Sequence, residues 1–258
     1  GIYSDIALEY PPLIGYMIAA TRWFSGLFYN VGPSATHADT VWSAETFFVA
    51  NAVLLGVLFF ALVFVHLRLD SGRPWDALFI AASPLVMTSV LINWDLLVVA
   101  LVAFAIYAWA NKRPLLAGVL IGLGVSAKLY PILLLGAILI LCLRAEKWRA
   151  MVQAVAGAVI GWGFANLPVA LAAPEGWKYF WTFNANRGAD LGSIWYLLKL
   201  IGLDVPKVST VAFFCMFMLG VGVVVLSLRA PRRPRLAQVT LLLTLIFLMF
   251  NTVYPPQY

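Results

Sequence analysis

Apolar positions in this chain run on for many residues at a time, and the polar ones gather in short breaks between the runs. The clearest runs cover about residues 42 to 67, 94 to 110, 151 to 172, 207 to 228 and 235 to 250. Their lengths are near the roughly 20 residues with which a helix crosses a hydrocarbon core of about 30 Å. None shows the ten-residue alternation of a membrane barrel, so the pattern predicts an all-α, polytopic transmembrane bundle. Two further regions are interrupted, 76 to 110 by "INWDLL" and 114 to 143 by "AKLYP". A straight helix over 114 to 143 would be about 45 Å long, too long for the core, and Pro131 would break it. Paired short helices are predicted in both regions.

Composition turns that pattern into a firm exclusion. Hydrophobic residues make up 63% of the chain and charged ones 11%, and the mean hydropathy is +0.94. A soluble fold carries roughly 25% charged residues, so a soluble domain is excluded. The positions of the basic residues then set orientation, because Lys and Arg concentrate in cytoplasmic loops, and the net charge of +6 follows from those loops. With each interruption read as a turn at the opposite face, Arg68, Arg73, Lys112, Arg113, Arg144, Lys147, Arg149, Arg229, Arg232, Arg233 and Arg235 share one side. Asp5, Glu9, Asp39, Glu45, Asp95, Glu175, Asp190 and Asp204 fall on the other. This distribution follows membrane topology and gives no support to a nucleic-acid partner.

A full crossing by residues 11 to 28 would invert that arrangement, and Arg22 lies in the middle of the segment. It reads as a re-entrant or interfacial helix on the outer face, started by the prolines of "EYPP". The expected layout is one transmembrane domain over 1–258: an outer loop and re-entrant helix (1–41), helices (42–172), an outer loop (173–206), helices (207–250) and an outer tail (251–258). Both ends lie in polar aromatic stretches, and the chain reads as an excerpt of a longer protein. Cys142 and Cys215 sit in apolar runs, which argues against a disulfide. The GxxxG spacings at Gly118/Gly122 and Gly157/Gly161 fit close packing inside the bundle better than a dimer contact. His37 and His66 show no ligand spacing, and neither a metal nor a cofactor is implied.

Chemistry converges on the outer side. Helices of about 14 residues are about 21 Å long, so the turn at Lys128 lies at membrane depth, where charges usually face a cavity or a partner. Its functional reading is a cationic pocket for a lipid headgroup; the plain alternative is snorkelling along its own stem. Asp95, beside Asn93 in "NWDLL", either caps a helix or faces the same pocket. Arg187 in "NANRGADLG" suits bidentate contact with phosphate or is an ordinary surface arginine. Tyr254 and Gln257 of "NTVYPPQY" return to this face. Carboxylates, a lysine and an arginine on one face suit sugar transfer from a polyprenyl phosphate. One carboxylate takes the acceptor proton, and the cations offset charge on the departing phosphate. Phosphate leaves readily, so no second carboxylic acid is needed, unlike glycoside hydrolysis.

"IYSDI", "EYPPLIGY", "NWDLLVVAL", "LAGVLIGLGVSAKLYPILLL", "NRGADLGSIWYLL" and "VYPPQY", in that order, resemble the actinobacterial integral membrane proteins of glycosyltransferase family 87, in the GT-C superfamily. The resemblance covers nearly the whole chain. It implies an inverting transfer of mannose from polyprenyl phosphate mannose to a cell-envelope glycolipid or glycan acceptor. That reaction would take place on the periplasmic face of a bacterial plasma membrane. It also implies Asp5 as general base, Asp95 in the polar turn, Lys128 near the donor phosphate with Tyr130 beside it, and Arg187 as a further phosphate contact. Relatives usually have a longer stretch between the aspartate and "EYPP" and a helix before it. Glu9 is therefore the alternate base. Arabinose and glucose donors stay open, as does a lipid-carrier flippase using the same cations without chemistry.

Overall fold

The computed structural model describes residues 2–6, 8–29, 32, 35–69 and 72–253, and every regular element among them is helical. In chain order these are α1 (Pro12–Gly26), α2 (His37–Leu69), a 3-10 turn (Pro74–Ala77), α3 (Leu78–Ala81), α4 (Pro84–Ser89), α5 (Asp95–Ala110) and α6 (Pro114–Val125). There follow α7 (Ile132–Arg144), α8 (Trp148–Ala172), α9 (Pro174–Asn186), α10 (Ile194–Leu200), α11 (Val208–Arg229) and α12 (Leu236–Phe250). α2, α8 and α11 are long and apolar enough to cross a membrane. The expected spans at 94 to 110 and 235 to 250 are shorter helices of 16 and 15 residues.

The interruption at "AKLYP" behaves as expected and gives α6 and α7, of 12 and 13 residues. The region before "INWDLL" does not. Instead of one short helix, residues 74 to 89 form the 3-10 turn and two helices of four and six residues. Pro84 has no N–H for a preceding turn and biases Ser83 away from helical backbone. Ser83 is extended, and its side chain caps the next helix by accepting from the Val86 N–H. α5 and α7 close alike, with Lys112 and Glu146 in left-handed backbone at φ 57° and 55°. The following N–H groups, of Arg113 and Lys147, then bond back to Ala108 O and Cys142 O, each at 2.9 Å, which satisfies carbonyls at the helix ends.

The core is built around α6 and α8, which run parallel at close approach. A Cβ on Gly118 would lie 2.1 Å from Ala154 O, and one on Gly122 2.1 Å from Ala158 O. In return, Gly157 faces Leu115 O and Gly161 faces Val119 O, both at 2.2 Å. Both GxxxG spacings are thus used within the bundle, backbone against backbone. α5 and α7 flank this pair through Ala105, Ile121, Leu134, Ile138, Cys142 and Ala154. α12 and α11 close the other side against α7 through Ala137, Ile140, Leu141, Val223 and Val239.

α1 pairs with the first half of α2. Its first turn is tied to the α6–α7 turn by the Leu13 N–H bond to Ser126 O, at 2.9 Å. At its far end Tyr29 Oη donates to Asp39 in the first turn of α2, at 2.6 Å. The segment expected as a re-entrant outer-face helix is therefore 15 residues long, about 22 Å. Its far end meets the start of α2 through that Tyr29–Asp39 bond.

Candidate active site

Three helix starts and one turn meet where α1 begins. Trp94 ends the polar turn before α5, and its indole Nε1–H donates to Asn51 Oδ1 of α2, at 2.8 Å. The Tyr10 ring stands edge-on to Trp94, with centroids 5.7 Å apart and planes at 88°. Behind them Ile14, Val98 and Ala127 are buried, with Tyr130 packed against the group.

Asp95 is the first residue of α5 and not its cap. Trp94 holds the cap position, and Asn93 Oδ1 accepts the Asp95 N–H at 2.9 Å. The Asp95 carboxylate is left to face outward from the helix axis, where Oδ1 forms an ion pair with Lys128 Nζ. The two side chains keep 16% (Lys128) and 23% (Asp95) of their exposure, so the pair is largely removed from solvent. Lys128 lies within the α6–α7 turn, and this pairing replaces simple snorkelling as the account of its charge.

That turn is held from three sides by a buried polar network. Asn166 Nδ2 of α8 donates to Ser126 Oγ at 2.9 Å, and Asn166 Oδ1 accepts from Trp177 Nε1 of α9 at 3.0 Å. Ser126 Oγ donates in turn to Gly122 O at 2.9 Å. Tyr16 Oη of α1 reaches Ala165 O at 3.1 Å. Asn166 is 2% exposed, and in such a setting each unpaired amide would be costly. It lies six residues, about 9 Å, before the end of α8 at Ala172, and so anchors the Ser126 turn within the bundle and not at its end.

The first loop reaches the same place. Tyr3 is buried, and its Oη donates to Tyr10 O at 2.8 Å. Its ring lies where a Gly15 Cβ would stand, 2.4 Å from Cε2, and its carbonyl lies 1.9 Å from a Cβ placed on Gly176 of α9. Burial, with Tyr16 beside it, pushes the Tyr3 phenol above the ordinary tyrosine range, so it stays a donor. Asp5 and Glu9 are exposed on this clamped loop, and Glu9 directly precedes Tyr10.

Arg187 is engaged elsewhere. It pairs with Asp190 Oδ2 at 2.5 Å and lies over the Phe183 ring, 5.6 Å from its centroid. With Tyr179, Thr182 and Phe183 it lines a hollow of about 350 Å³. Hydrogen bonds from the Leu191 N–H and the Arg187 guanidinium hold the Asp190 carboxyl below the usual range. The stretch expected as a plain outer loop, 173 to 206, thus carries α9 and α10. Between α10 and α12 lies an apolar groove of about 670 Å³, lined among others by Leu197, Leu200, Leu245 and Met249. Tyr254 and Gln257 lie outside the described residues.

The structure therefore joins Asn93, Asp95, Lys128 and Tyr130 into one cluster, brings the loop of Asp5 and Glu9 against it through Tyr10, and sets Arg187 in a second cluster. Asn51, Asn166 and Trp177 were not anticipated. The signal for the two asparagines is present in "VANAV" and "FANLP", single amides inside apolar runs, where a polar side chain needs a partner. No group of three or more His, Cys, Asp or Glu among the described residues is placed to hold a metal ion.

The family described as Glycosyltransferase family 87 matches residues 10–252. No curated protein and no solved structure matches the chain.

Proposed function

Since the chain belongs to glycosyltransferase family 87, we propose that it transfers a sugar, mannose in our reading, from a polyprenyl phosphate donor. The acceptor is a cell-envelope glycolipid or polysaccharide, and the reaction inverts the anomeric centre at the outer face of a bacterial plasma membrane. The observation that carries this reading is the Asp95–Lys128 pair. A compensated ammonium at the end of an apolar bundle is suited to an anion that arrives on a hydrocarbon chain.

In this reading the acceptor hydroxyl attacks the anomeric carbon while a first-loop carboxylate takes its proton, Asp5 first and Glu9 as alternate. The bond from the anomeric carbon to the phosphate oxygen breaks, and its electron pair leaves with the phosphate. Lys128 lies against that developing charge, fixed beforehand by Asp95 and by the Ser126–Asn166–Trp177 network. Preorganised donors of this kind act on the transition state without reorganising. Tyr130 and Asn93 line the same cluster, Arg187, just after α9 and paired with Asp190, is assigned as a phosphate contact from its own separate cluster, and Tyr254 and Gln257 are assigned to acceptor contact. Exclusion of water by the apolar surroundings favours the sugar acceptor over hydrolysis.

The test is transfer of labelled mannose from polyprenyl phosphate mannose by membranes holding the full-length protein, with glucose and arabinose donors in parallel. Asp5→Asn is expected to abolish transfer while the protein still accumulates. Normal transfer by that variant moves the base to Glu9, tested by Glu9→Gln. Movement of donor lipid between leaflets with no product at all would overturn the transferase reading in favour of a lipid-carrier flippase.

A further inference from the structure

The end of the bundle opposite the Asp95–Lys128 pair carries charge that the transfer reaction does not use. α7, α8, α11 and α12 converge there. Leu236, the first residue of α12, packs against the buried cluster that includes Cys142 of α7 and Ala154 of α8, as do Ala150 and Met151. The α11–α12 connection, "RAPRRPRL", is thereby drawn over the ends of α7 and α8. Arg144, the last residue of α7, holds it in place by donating from its guanidinium to Ser227 O and to Ala230 O, the latter at 2.7 Å.

Pro231 and Pro234 restrict the backbone on both sides of Arg232 and Arg233, and Gln238 accepts the Arg235 N–H at 2.8 Å. The connection is thus set by two prolines, two carbonyl bonds and a cap, while Arg229, Arg232, Arg233 and Arg235 remain exposed. Lys147 and Arg149 stand exposed at the adjoining start of α8, and Glu146 is the acid beside them. A concentration of six exposed cations on a preformed surface next to apolar helices matches the negative phosphates of lipid headgroups. Elsewhere at this end cations are sparser: Arg73 is paired with Asp76 at 3.2 Å, and Lys112 and Arg113 stand on a separate turn.

We propose that the α7–α8–α11–α12 corner, organised by Arg144, is a binding site for anionic phospholipid headgroups. It differs from a general bias of basic loops in depending on one arrangement of the α11–α12 connection. Arg144→Lys keeps the charge but lacks the planar fork that reaches two carbonyls at once, so it separates arrangement from charge.

The full-length protein, extracted in a neutral detergent, is supplied with equal amounts of phosphatidylglycerol and phosphatidylcholine, and retained lipid is read by native mass spectrometry. The wild type is expected to retain phosphatidylglycerol preferentially. The triple variant Arg232→Gln, Arg233→Gln, Arg235→Gln is expected to lose at least about tenfold of that preference, and Arg144→Lys to lose part of it. Lys112→Gln with Arg113→Gln should leave it unchanged. Equal retention of the two lipids by the wild type overturns the proposal. So does an equal loss in the Lys112/Arg113 variant, which would reduce the effect to overall charge, or full preference in Arg144→Lys. None of these readouts depends on sugar transfer.

Discussion

Removing the charge of Asp95 while keeping its shape, as Asp95→Asn, takes from Lys128 its carboxylate partner in a mostly apolar setting. A charge at the centre of a membrane helix costs about 2.5–3.5 kcal/mol on insertion scales, and breaking a fully buried pair costs about 3–5 kcal/mol. Both side chains here keep some exposure, 16% and 23%, so the lower range applies, about 2–3 kcal/mol. For a chain of this size that is a fall in unfolding temperature of about 4–6 °C. Lys128→Met strands the carboxylate instead and should cost a similar amount. The double variant Asp95→Leu, Lys128→Met removes both charges and should recover to within about 1 kcal/mol of the wild type, since apolar replacement of a buried pair is often neutral. The assay is thermal unfolding of the purified protein in one detergent, with mannose transfer measured on the same samples. All three variants should be inactive. If the two single losses simply add in the double variant, the pair is not coupled and the stability reasoning fails. Transfer by Lys128→Met would refute the role given to the ammonium and leave the stability result standing.

Trp177→Phe keeps an aromatic ring but deprives Asn166 Oδ1 of its donor, which should cost about 1–3 kcal/mol and lower the transfer rate through the Ser126–Lys128 turn; unfolding temperature and turnover read the two effects. Gly122→Ala places a methyl carbon 2.1 Å from Ala158 O, so α6 and α8 must separate, with a loss of about 1–3 kcal/mol; an unchanged unfolding temperature would contradict the close packing. Thr240 Oγ1 is a buried side-chain oxygen with no hydrogen-bond partner among the described residues, and Thr240→Val should stabilise by about 1 kcal/mol, seen as a small rise in unfolding temperature. Asp190 has its carboxyl held below the usual range, so its contribution is complete above the ordinary carboxylate pKa of about 4 and fades as pH falls through the depressed value. Protease sensitivity of the α9–α10 connection should therefore rise only in strong acid, and Asp190→Asn should raise it at neutral pH.

Much of this protein is legible along the chain because a bilayer allows few solutions. Long apolar runs must become helices, since no water is present to satisfy an open backbone, and the basic breaks between them mark one end of the bundle. The split of residues 114 to 143 follows from length and from Pro131, and the residues of the Asp95–Lys128 cluster stand out as charges in an apolar context. The family was legible in six short motifs in fixed order. The fragmentation of residues 74 to 89 was not, because hydropathy alone does not register the local backbone change that Ser83 and Pro84 impose.

What only the tertiary structure decided is which polar groups meet. Asp95 and Lys128 are 33 positions apart in sequence, and nothing local distinguishes a capping aspartate from one that crosses to the next turn. α5, α6 and α7 packing side by side makes that choice. Arg187 carries the same charge as Lys128 in sequence, yet the fold sets it beside Asp190 and Phe183. Asn51 finds Trp94 across 43 positions, and Asn166 finds Ser126 across 40. Gly118, Gly122, Gly157 and Gly161 read as one of two kinds of contact until the backbones of α6 and α8 are seen to touch. Hydropathy is a property of segments and survives in sequence. Partnership is a property of distances between segments, which exist only once the helices have packed.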